Sequence, residues 1–306
     1  MNSLRHLLFS TVIAMGMGTG IAAAQQEASG TVFPSASEGV DRFVAAGRAK
    51  DMVALDKILG QDGHDILHSG DVQADRNALE RFITAYDARH KLVQDSPTRS
   101  TLVVGTDDWP MPIPLVKGAD GWSFDTAAGR AELLARRIGR NELSTIQSCK
   151  AFVDAQREYA STDRGDGLLD YAQRFISTPG KQDGLYWPAK PGEPMSPLGP
   201  LFVKAQAAGY TPRAKNTPQP FNGYYFRILT GQGPAAKGGA YSYLAHGKLM
   251  GGFALIASPA TYGVSGVMTF IVNQDGAVFQ KDLGPNTTAA AAQIKTFDPG
   301  PGWKKV

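Results

Sequence analysis

The sequence predicts an α+β protein of two domains, each with helices packed on a small antiparallel sheet. Two observations carry this prediction. The hydrophobic spacing is helical over roughly residues 37–91 and becomes that of short strands after residue 100. The same order then repeats, because a long helical pattern near 127–161 precedes four strand-like segments between residues 223 and 284.

The first residues, 1–24, are predicted to be a signal peptide that is cleaved before Gln25. Arg5 precedes the apolar run LLFSTVIAMGMGTGIAAA, whose last residues fit an A-x-A cleavage site. An uncleaved membrane anchor is the alternative, but the run is short and interrupted by glycines. We therefore expect a periplasmic or secreted protein, with residues 25–34 as a flexible leader.

Charge and cysteine content argue against several classes of protein. Loss of residues 1–24 removes only Arg5 among the charged residues, so 30 basic residues stand against 28 acidic ones. That balance gives no reason to expect a nucleic acid as partner. Cys149 is the only cysteine, so no intramolecular disulfide can form. No later stretch approaches the ~18 apolar residues of a membrane span, so we expect none after signal cleavage.

The predicted amino-terminal domain, 35–138, begins with helices. Two are expected before Gly60, with Ser37 as a plausible N-cap, and a third over about 73–91. Three strand-like segments follow: STLVVG, PMPIPLVKG and GWSFDT. The alternating prolines of the second segment favour an edge strand, since proline cannot donate to a ladder.

The predicted carboxy-terminal domain, 139–306, begins inside the long helix near 127–161. Residues 162–219 are rich in proline and glycine and are expected to be irregular, with short helices near 168–176 and 198–208. A four-stranded antiparallel sheet should follow. Its hairpin at 265–284 turns at an Asp-Gly pair, and the largely apolar strand around Phe270 is expected to be central and covered on both faces.

Three resemblances accompany these patterns. The helix-to-GWSFD order over about 36–126 resembles NTF2-like modules, which implies a cone-shaped α+β domain. The helix LSTIQSCKAFVDAQREYAST, followed far downstream by GYYFRILTG, resembles the globular part of pilins and pseudopilins. The charged stretch GRAELLARRIGRNE replaces the apolar, membrane-embedded front of a pilin helix, so this likeness concerns fold and not filament assembly.

The whole chain resembles an exported bacterial family known as domain of unknown function 2950. The motifs GWSFDTAAGRAELLARRIGRNEL, RFISTPGKQDGLYWP and SGVMTFIVNQDGAVFQKDLGP carry this resemblance, which covers about residues 33–304. It implies a secreted bacterial protein. It assigns no activity and no catalytic residue.

Two groups of residues are candidates for a binding site. Arg136 and Arg140 lie one helical turn apart beside Glu142, which would suit a clamp for a carboxylate or phosphate, and a solvated charged face is the alternative. Tyr186 and Trp187 lie among prolines and could stack on a sugar or an extended peptide. They could equally close one end of the sheet.

Metal, cofactor and nucleophile patterns are weak. His64 and His68 are four residues apart, but no third ligand is evident nearby, so we expect no metal site. The run TDRGDGLLD lacks the EF-hand spacing and favours a turn with a helix N-cap at Asp166. Cys149 lies on an apolar helical stripe and is expected to be buried. No P-loop, dinucleotide or G-x-S-x-G motif suggests a cofactor or a serine nucleophile.

The sequence therefore favours a non-catalytic binding or assembly module of the cell envelope. Its partner would be an envelope protein, a peptide or a glycan. The alternative is an envelope hydrolase whose groups converge in three dimensions near the Arg136–Glu142 cluster, with Asp125 or Asp163.

Overall fold

The computed structural model describes residues 30–165, 167–190, 192–211 and 218–306. The predicted signal peptide, the leader up to residue 29 and the expected N-cap Asp166 lie outside the described residues. The described chain is α+β, as the sequence predicts, with helices packed on antiparallel sheets.

The amino-terminal half begins with a layer of helices: α1 (Ala36–Ala49), α2 (Met52–Leu59), a 3₁₀ turn (Gln61–Gly63), α3 (His64–Leu67) and α4 (Val72–Ala88). Ser35, not Ser37, caps α1 by accepting a hydrogen bond from the backbone N–H of Glu38. Asp51 and Asp71 cap α2 and α4 in the same way. Each cap satisfies a backbone donor that has no partner inside its helix.

The first sheet contains β1 (His90–Ser96), β2 (Arg99–Val104), β3 (Trp109–Pro110), β4 (Leu115–Lys117) and β5 (Trp122–Phe124). Its order is β1-β2-β4-β5, with β3 also paired to β2. The edge predicted for the proline-alternating segment is therefore only partly present: Pro110 lies in β3, which pairs with β2 alone, whereas β4 pairs on both sides, with β2 and β5. The strand β1, whose first residues the sequence places in a helix, forms another edge.

The described end of the expected flexible leader, 30–34, is bound to this sheet. The Phe33 backbone N–H donates to Trp122 O over 2.7 Å, and the Trp122 N–H donates back to Phe33 O over 2.8 Å. The Phe33 side chain is buried in the core beneath α1. Burial of this aromatic ring and two ladder bonds outweigh the proline and glycine signals around it.

The long helix α5 (Thr126–Ala160) confirms the predicted helix near 127–161 and is continuous for 35 residues. After it, α6 (Gly199–Ala207) confirms the short helix near 198–208. The short helix predicted near 168–176 is wrong. The buried amide of Gln156 bonds both backbone groups of Ala172 at 2.8 Å each, and Tyr171 pairs with Leu249, so the backbone there is irregular and not helical.

The carboxy-terminal sheet has the order β14-β13-β12-β11-β6. Its strands are β6 (Tyr224–Leu229), β11 (Ala254–Pro259), β12 (Met268–Asn273), β13 (Val278–Asp282) and β14 (Lys304–Lys305). The intervening pairs are β7 (Gly231–Gln232) with β8 (Tyr241–Ser242), and β9 (Leu244–Ala245) with β10 (Lys248–Leu249). The four predicted strands are present, and the two-residue strand β14 extends the sheet to five.

The central strand β12 is covered on both faces, as expected. Phe270 and Val272 belong to the core that includes Cys149 and Phe152 of α5. Ile271 belongs to a core on the opposite face, which includes Ala291 of α7 (Thr287–Gln293). The hairpin at 265–284 is therefore explained by packing.

The hydrophobic cores of the two halves are separate. The first is formed by residues between Phe33 and Leu133, and the other two by residues between Ile146 and Trp303. The domain boundary between residues 138 and 139 stays a prediction, and α5 runs through it without interruption. None of the helices in the described ranges is long and apolar enough to cross a membrane.

Asp71 is a buried carboxylate that links the two halves. Its Oδ1 accepts the Ala74 N–H at the start of α4 over 3.1 Å. Its Oδ2 accepts the Tyr210 hydroxyl over 2.8 Å and the Gly223 N–H over 2.9 Å. Burial and this carboxylate raise the pKa of Tyr210, which keeps its proton available for the bond.

We predict that Asp71→Ala lowers the free energy of unfolding by roughly 3–5 kcal/mol, because it removes a cap and leaves two buried donors without an acceptor. Asp51→Ala is the matched control, since the exposed Asp51 caps α2 through the Ala54 N–H alone. It should cost about 1 kcal/mol. Urea unfolding of both variants checks this, and equal losses would contradict the anchoring role.

Candidate functional site

A cleft of about 1080 Å³ lies beside α4 and α5 in the amino-terminal half. It exists because α4 buries only Tyr86 among its 17 residues. The apolar side chains of this helix are therefore mostly half-buried, and its Leu79 and Phe82 line the cleft. When part of the apolar face of a helix is not packed against the core, it remains as a surface that a ligand can cover.

The walls of the cleft are largely apolar. Side chains from α1 to α5 and from the sheet contribute, namely Phe43, Met52, Leu59, Ile66, Leu67, Leu79, Phe82, Val104, Trp109, Met111, Ile113 and Leu133. Ala207 and Ala208, at the end of α6, also line the cleft, as do the acidic residues Asp75, Glu80 and Asp107. The cleft therefore contains residues from both halves of the chain.

Four arginines also line the cleft: Arg81 of α4, and Arg136, Arg137 and Arg140 of α5. Arg136 pairs with Glu132 at 2.5 Å, and its guanidinium carbon lies 5.9 Å from the centre of the Trp109 ring. Neither Arg81 nor Arg140 has an ion-pair partner anywhere in the described chain. Desolvation, and then the positive charges of Arg81 and Arg136, lower the pKa of Arg140, so these cations are close enough to repel one another.

Arg137 has a different role from its neighbours. Its guanidinium donates to the backbone oxygens of Asp65, at 2.7 Å, and Ile66. Burial lowers its pKa, and the nearby carboxylates of Asp75 and Asp65 partly offset that effect. Arg137 therefore holds α3 against α5.

Two carboxylates of the cleft have shifted pKa values, and they shift in opposite directions: the hydrogen bond from Lys50 lowers the pKa of Glu80, whereas the pKa of Asp75 is raised. Burial raises this pKa, and hydrogen bonds from Ser69 together with the charge of Arg137 oppose the rise. The Ser69 backbone N–H donates to Asp75 Oδ2 over 2.9 Å. Sequence reasoning missed both Asp75 and Arg81, because each is one charge among many on an amphipathic helix.

The predicted Arg136–Arg140–Glu142 cluster is split. The two arginines lie on the cleft, but Glu142 Oε1 accepts the backbone N–H groups of Val267 and Met268 at 3.0 and 2.9 Å. Two residues along a helix correspond to a rotation of about 200°, so Glu142 faces away from Arg140. Glu142 thus joins α5 to the carboxy-terminal sheet.

The other carboxylates considered for a hydrolase lie elsewhere. Asp125 caps α5 through the Ala128 N–H. Asp163 accepts hydrogen bonds from the backbone N–H groups of Gly165 and Gly167 within its own loop. Neither residue lines the cleft.

Tyr186 and Trp187 are half-buried against the carboxy-terminal core. The Tyr186 ring stacks on Phe202 of α6, with centres 4.0 Å apart and planes 5° from parallel. Arg164 approaches the Trp187 ring at 5.8 Å. These contacts cover part of the aromatic surface that was expected to bind a sugar or a peptide. They favour the alternative interpretation, in which the two residues close one end of the sheet.

A second group of polar side chains surrounds Asp56 of α2. His64 begins α3, His68 follows it, and one potential ligand atom from each of these three residues lies within 4.8 Å of the others. The sequence predicts no metal site because it shows no third ligand beside the two histidines. Asp56 supplies one from the preceding helix, across the turn at residues 60–63, and the only sequence signal for it was an acidic residue eight positions before His64.

The chain belongs to the family described as "Protein of unknown function (DUF2950)", whose model matches residues 30–306. This confirms the resemblance carried by the three long motifs. No curated protein and no solved structure matches the chain.

Cys149 is fully buried on α5, as the sequence predicts. Burial raises the pKa of its thiol to about 12. The thiolate, which is the reactive form, is therefore scarce at neutral pH, and access is closed as well.

We predict that 5,5′-dithiobis(2-nitrobenzoic acid) labels Cys149 only after denaturation. The measurement is the release of thionitrobenzoate from native and urea-unfolded protein. Stoichiometric labelling of the native protein within minutes would contradict the assigned helix face.

Proposed function

We propose that the protein is an exported, non-catalytic binding module of the bacterial envelope, and that the cleft beside α4 and α5 is its binding site. The observation that carries the proposal is the convergence of Arg81 and Arg140 without carboxylate partners in the described chain, at a cleft with apolar walls. An anionic group of a ligand placed between the two arginines would attract both of them and offset their mutual repulsion. The apolar walls of the cleft would cover an apolar group of the same ligand.

Among an envelope protein, a peptide and a glycan, the cleft favours a short peptide segment that carries both acidic and apolar side chains. A carboxylate would bind the two arginines, and an apolar side chain would cover Leu79 and Phe82. Stacking of either a glycan or an extended peptide on Tyr186 and Trp187 is disfavoured, because their rings contact Phe202 and Arg164. The cleft offers a peptide a second place to bind, lined by apolar side chains and arginines. The segment would belong to an envelope protein that shares the compartment.

An envelope hydrolase is the second candidate function, and Asp75 is the observation that favours it. A carboxyl group with a raised pKa beside arginines in a cleft is a pattern of acid–base sites. Its Oδ2 already accepts a backbone hydrogen bond, however, and Glu142, Asp125 and Asp163 are engaged elsewhere. Product formation from envelope-derived peptides that is lost in Asp75→Asn would favour this second candidate.

The proposed export has a direct test. When the full chain is expressed in a Gram-negative bacterium, we expect soluble periplasmic or secreted protein that begins at Gln25. Amino-terminal sequencing of each cell fraction is the measurement. Protein that keeps Met1 and remains in the membrane fraction would contradict the proposal.

The binding site can be tested with 8-anilinonaphthalene-1-sulfonate, a probe with an apolar body and one negative charge. We predict that the double variant Arg81→Gln/Arg140→Gln weakens its binding by about tenfold, because two partly solvated charge contacts are lost. The neutral analogue N-phenyl-1-naphthylamine should bind both proteins equally. Fluorescence titration measures both affinities.

Arg42→Gln is the matched control, since Arg42 is an exposed arginine of α1 that does not line the cleft. It should bind the anionic probe like the parent protein. Peptides rich in glutamate and leucine should displace the probe, and lysine–leucine peptides should not. Equal probe affinity in the double variant and the parent, with unchanged melting temperatures, would contradict the proposed site.

A further inference from the structure

Asp56, His64 and His68 form a compact group of metal-binding atoms outside the cleft. His68 Nε2 lies 2.9 Å from Asp56 Oδ2, and His64 Nδ1 lies 3.7 Å from Asp56 Oδ1. The two imidazole rings have centres 4.6 Å apart. Around a tetrahedral zinc ion with bonds of ~2.0–2.1 Å, neighbouring ligand atoms lie roughly 3.3 Å apart. The two distances, each to a different oxygen of Asp56, lie on either side of that value.

One oxygen of this group lacks a hydrogen-bond partner among the described residues. Asp56 Oδ1 is buried from solvent and accepts no hydrogen bond from any described residue. Oδ2 contacts His68 at 2.9 Å, whereas Oδ1 has only His64 Nδ1 at 3.7 Å, which is beyond hydrogen-bonding distance. Because a buried polar atom without a partner is costly, Oδ1 points to a missing cation or donor.

Contacts with α5 hold the segment that carries the two histidines in place. Arg130 of α5 pairs with the Asp65 side chain, and Arg137 donates to the backbone oxygens of Asp65 and Ile66. Gly63 allows the tight turn before His64, since a Cβ there would lie 2.4 Å from Leu59 Cβ. Rigid support of this kind orients ligands before an ion arrives and so strengthens binding.

We propose that Asp56, His64 and His68 bind a divalent transition metal ion, with zinc as the expected ion. Two imidazoles and one carboxylate form a donor set that zinc uses where a coordination position stays open. His64 is 66% exposed, and with Asp56 it lines a pocket of about 650 Å³ that also contains Thr31, Lys57 and Gln61. The open position would face this pocket, where Lys57 would favour an anionic co-ligand.

The test is calorimetric titration of Zn²⁺ into the chain from Gln25 onward, with any polyhistidine tag removed. We expect one zinc ion per protein. Asp56→Asn, His64→Ala and His68→Ala should each weaken binding by about tenfold or more, since loss of a ligand costs at least as much as loss of a supporting residue. Co²⁺ should give the visible absorption of a four- or five-coordinate site, and His64→Ala should abolish it.

His246→Asn is the matched control. His246 is exposed and has a φ of 51°, a left-handed conformation that asparagine tolerates. It should bind zinc like the parent protein. His64→Ala remains decisive if a change at Asp56 or His68 impairs folding, because the His64 side chain is largely outside the core. Failure of the parent protein to bind zinc, or equal binding by His64→Ala, would overturn the proposal, and neither result depends on the cleft.

Discussion

The helix α5 is the constraint on which the rest of the structure depends, because one rigid element supplies residues to both halves of the chain. Its first turns support α3 through Arg130 and Arg137 and form one wall of the cleft. Its last turns place Cys149 and Phe152 under the carboxy-terminal sheet. Since an α-helix is nearly straight, the packing of one end limits where the other can lie. The cleft and the histidine-bearing segment are therefore positioned by a helix whose other end is fixed in a different core.

Polar contacts at the middle of the chain fix how the halves meet. Glu142 satisfies two backbone donors at the start of β12, and the Asn141 amide donates to Ser265 O at 2.8 Å. Asp71 makes the corresponding link from α4 to Tyr210 and Gly223. Hydrogen bonds of this kind, buried at Asp71 and partly buried at Asn141 and Glu142, contribute modestly to stability when formed, but breaking one leaves a donor or acceptor unsatisfied at a larger cost. They therefore select one arrangement of the two cores over alternatives with similar apolar burial.

The candidate sites were predicted from the sequence only in part. The arginines of α5 were recognised because charges one turn apart share a helical face. Their partner in the cleft, Arg81, lies on another helix, and spacing within one segment carries no information about it. Asp56 was missed for the same reason, since its proximity to His64 depends on the turn between α2 and α3. The error at Glu142 differs: the helical period itself places it away from Arg140, and proximity in sequence was taken for proximity in space.

By itself the sequence determined the α+β class, the extent of α5, the burial of Cys149 and the central position of Phe270. These follow from hydrophobic periodicity and turn residues, which act over a few neighbouring positions. It also carried the long motifs that identify the family. Only the tertiary structure decided that β1 is an edge of the first sheet, that residues 168–176 are not helical, and that Phe33 is buried. Each of these depends on partners far away in the chain, such as Gln156 for Ala172 and Trp122 for Phe33, and local propensity is weaker than such contacts.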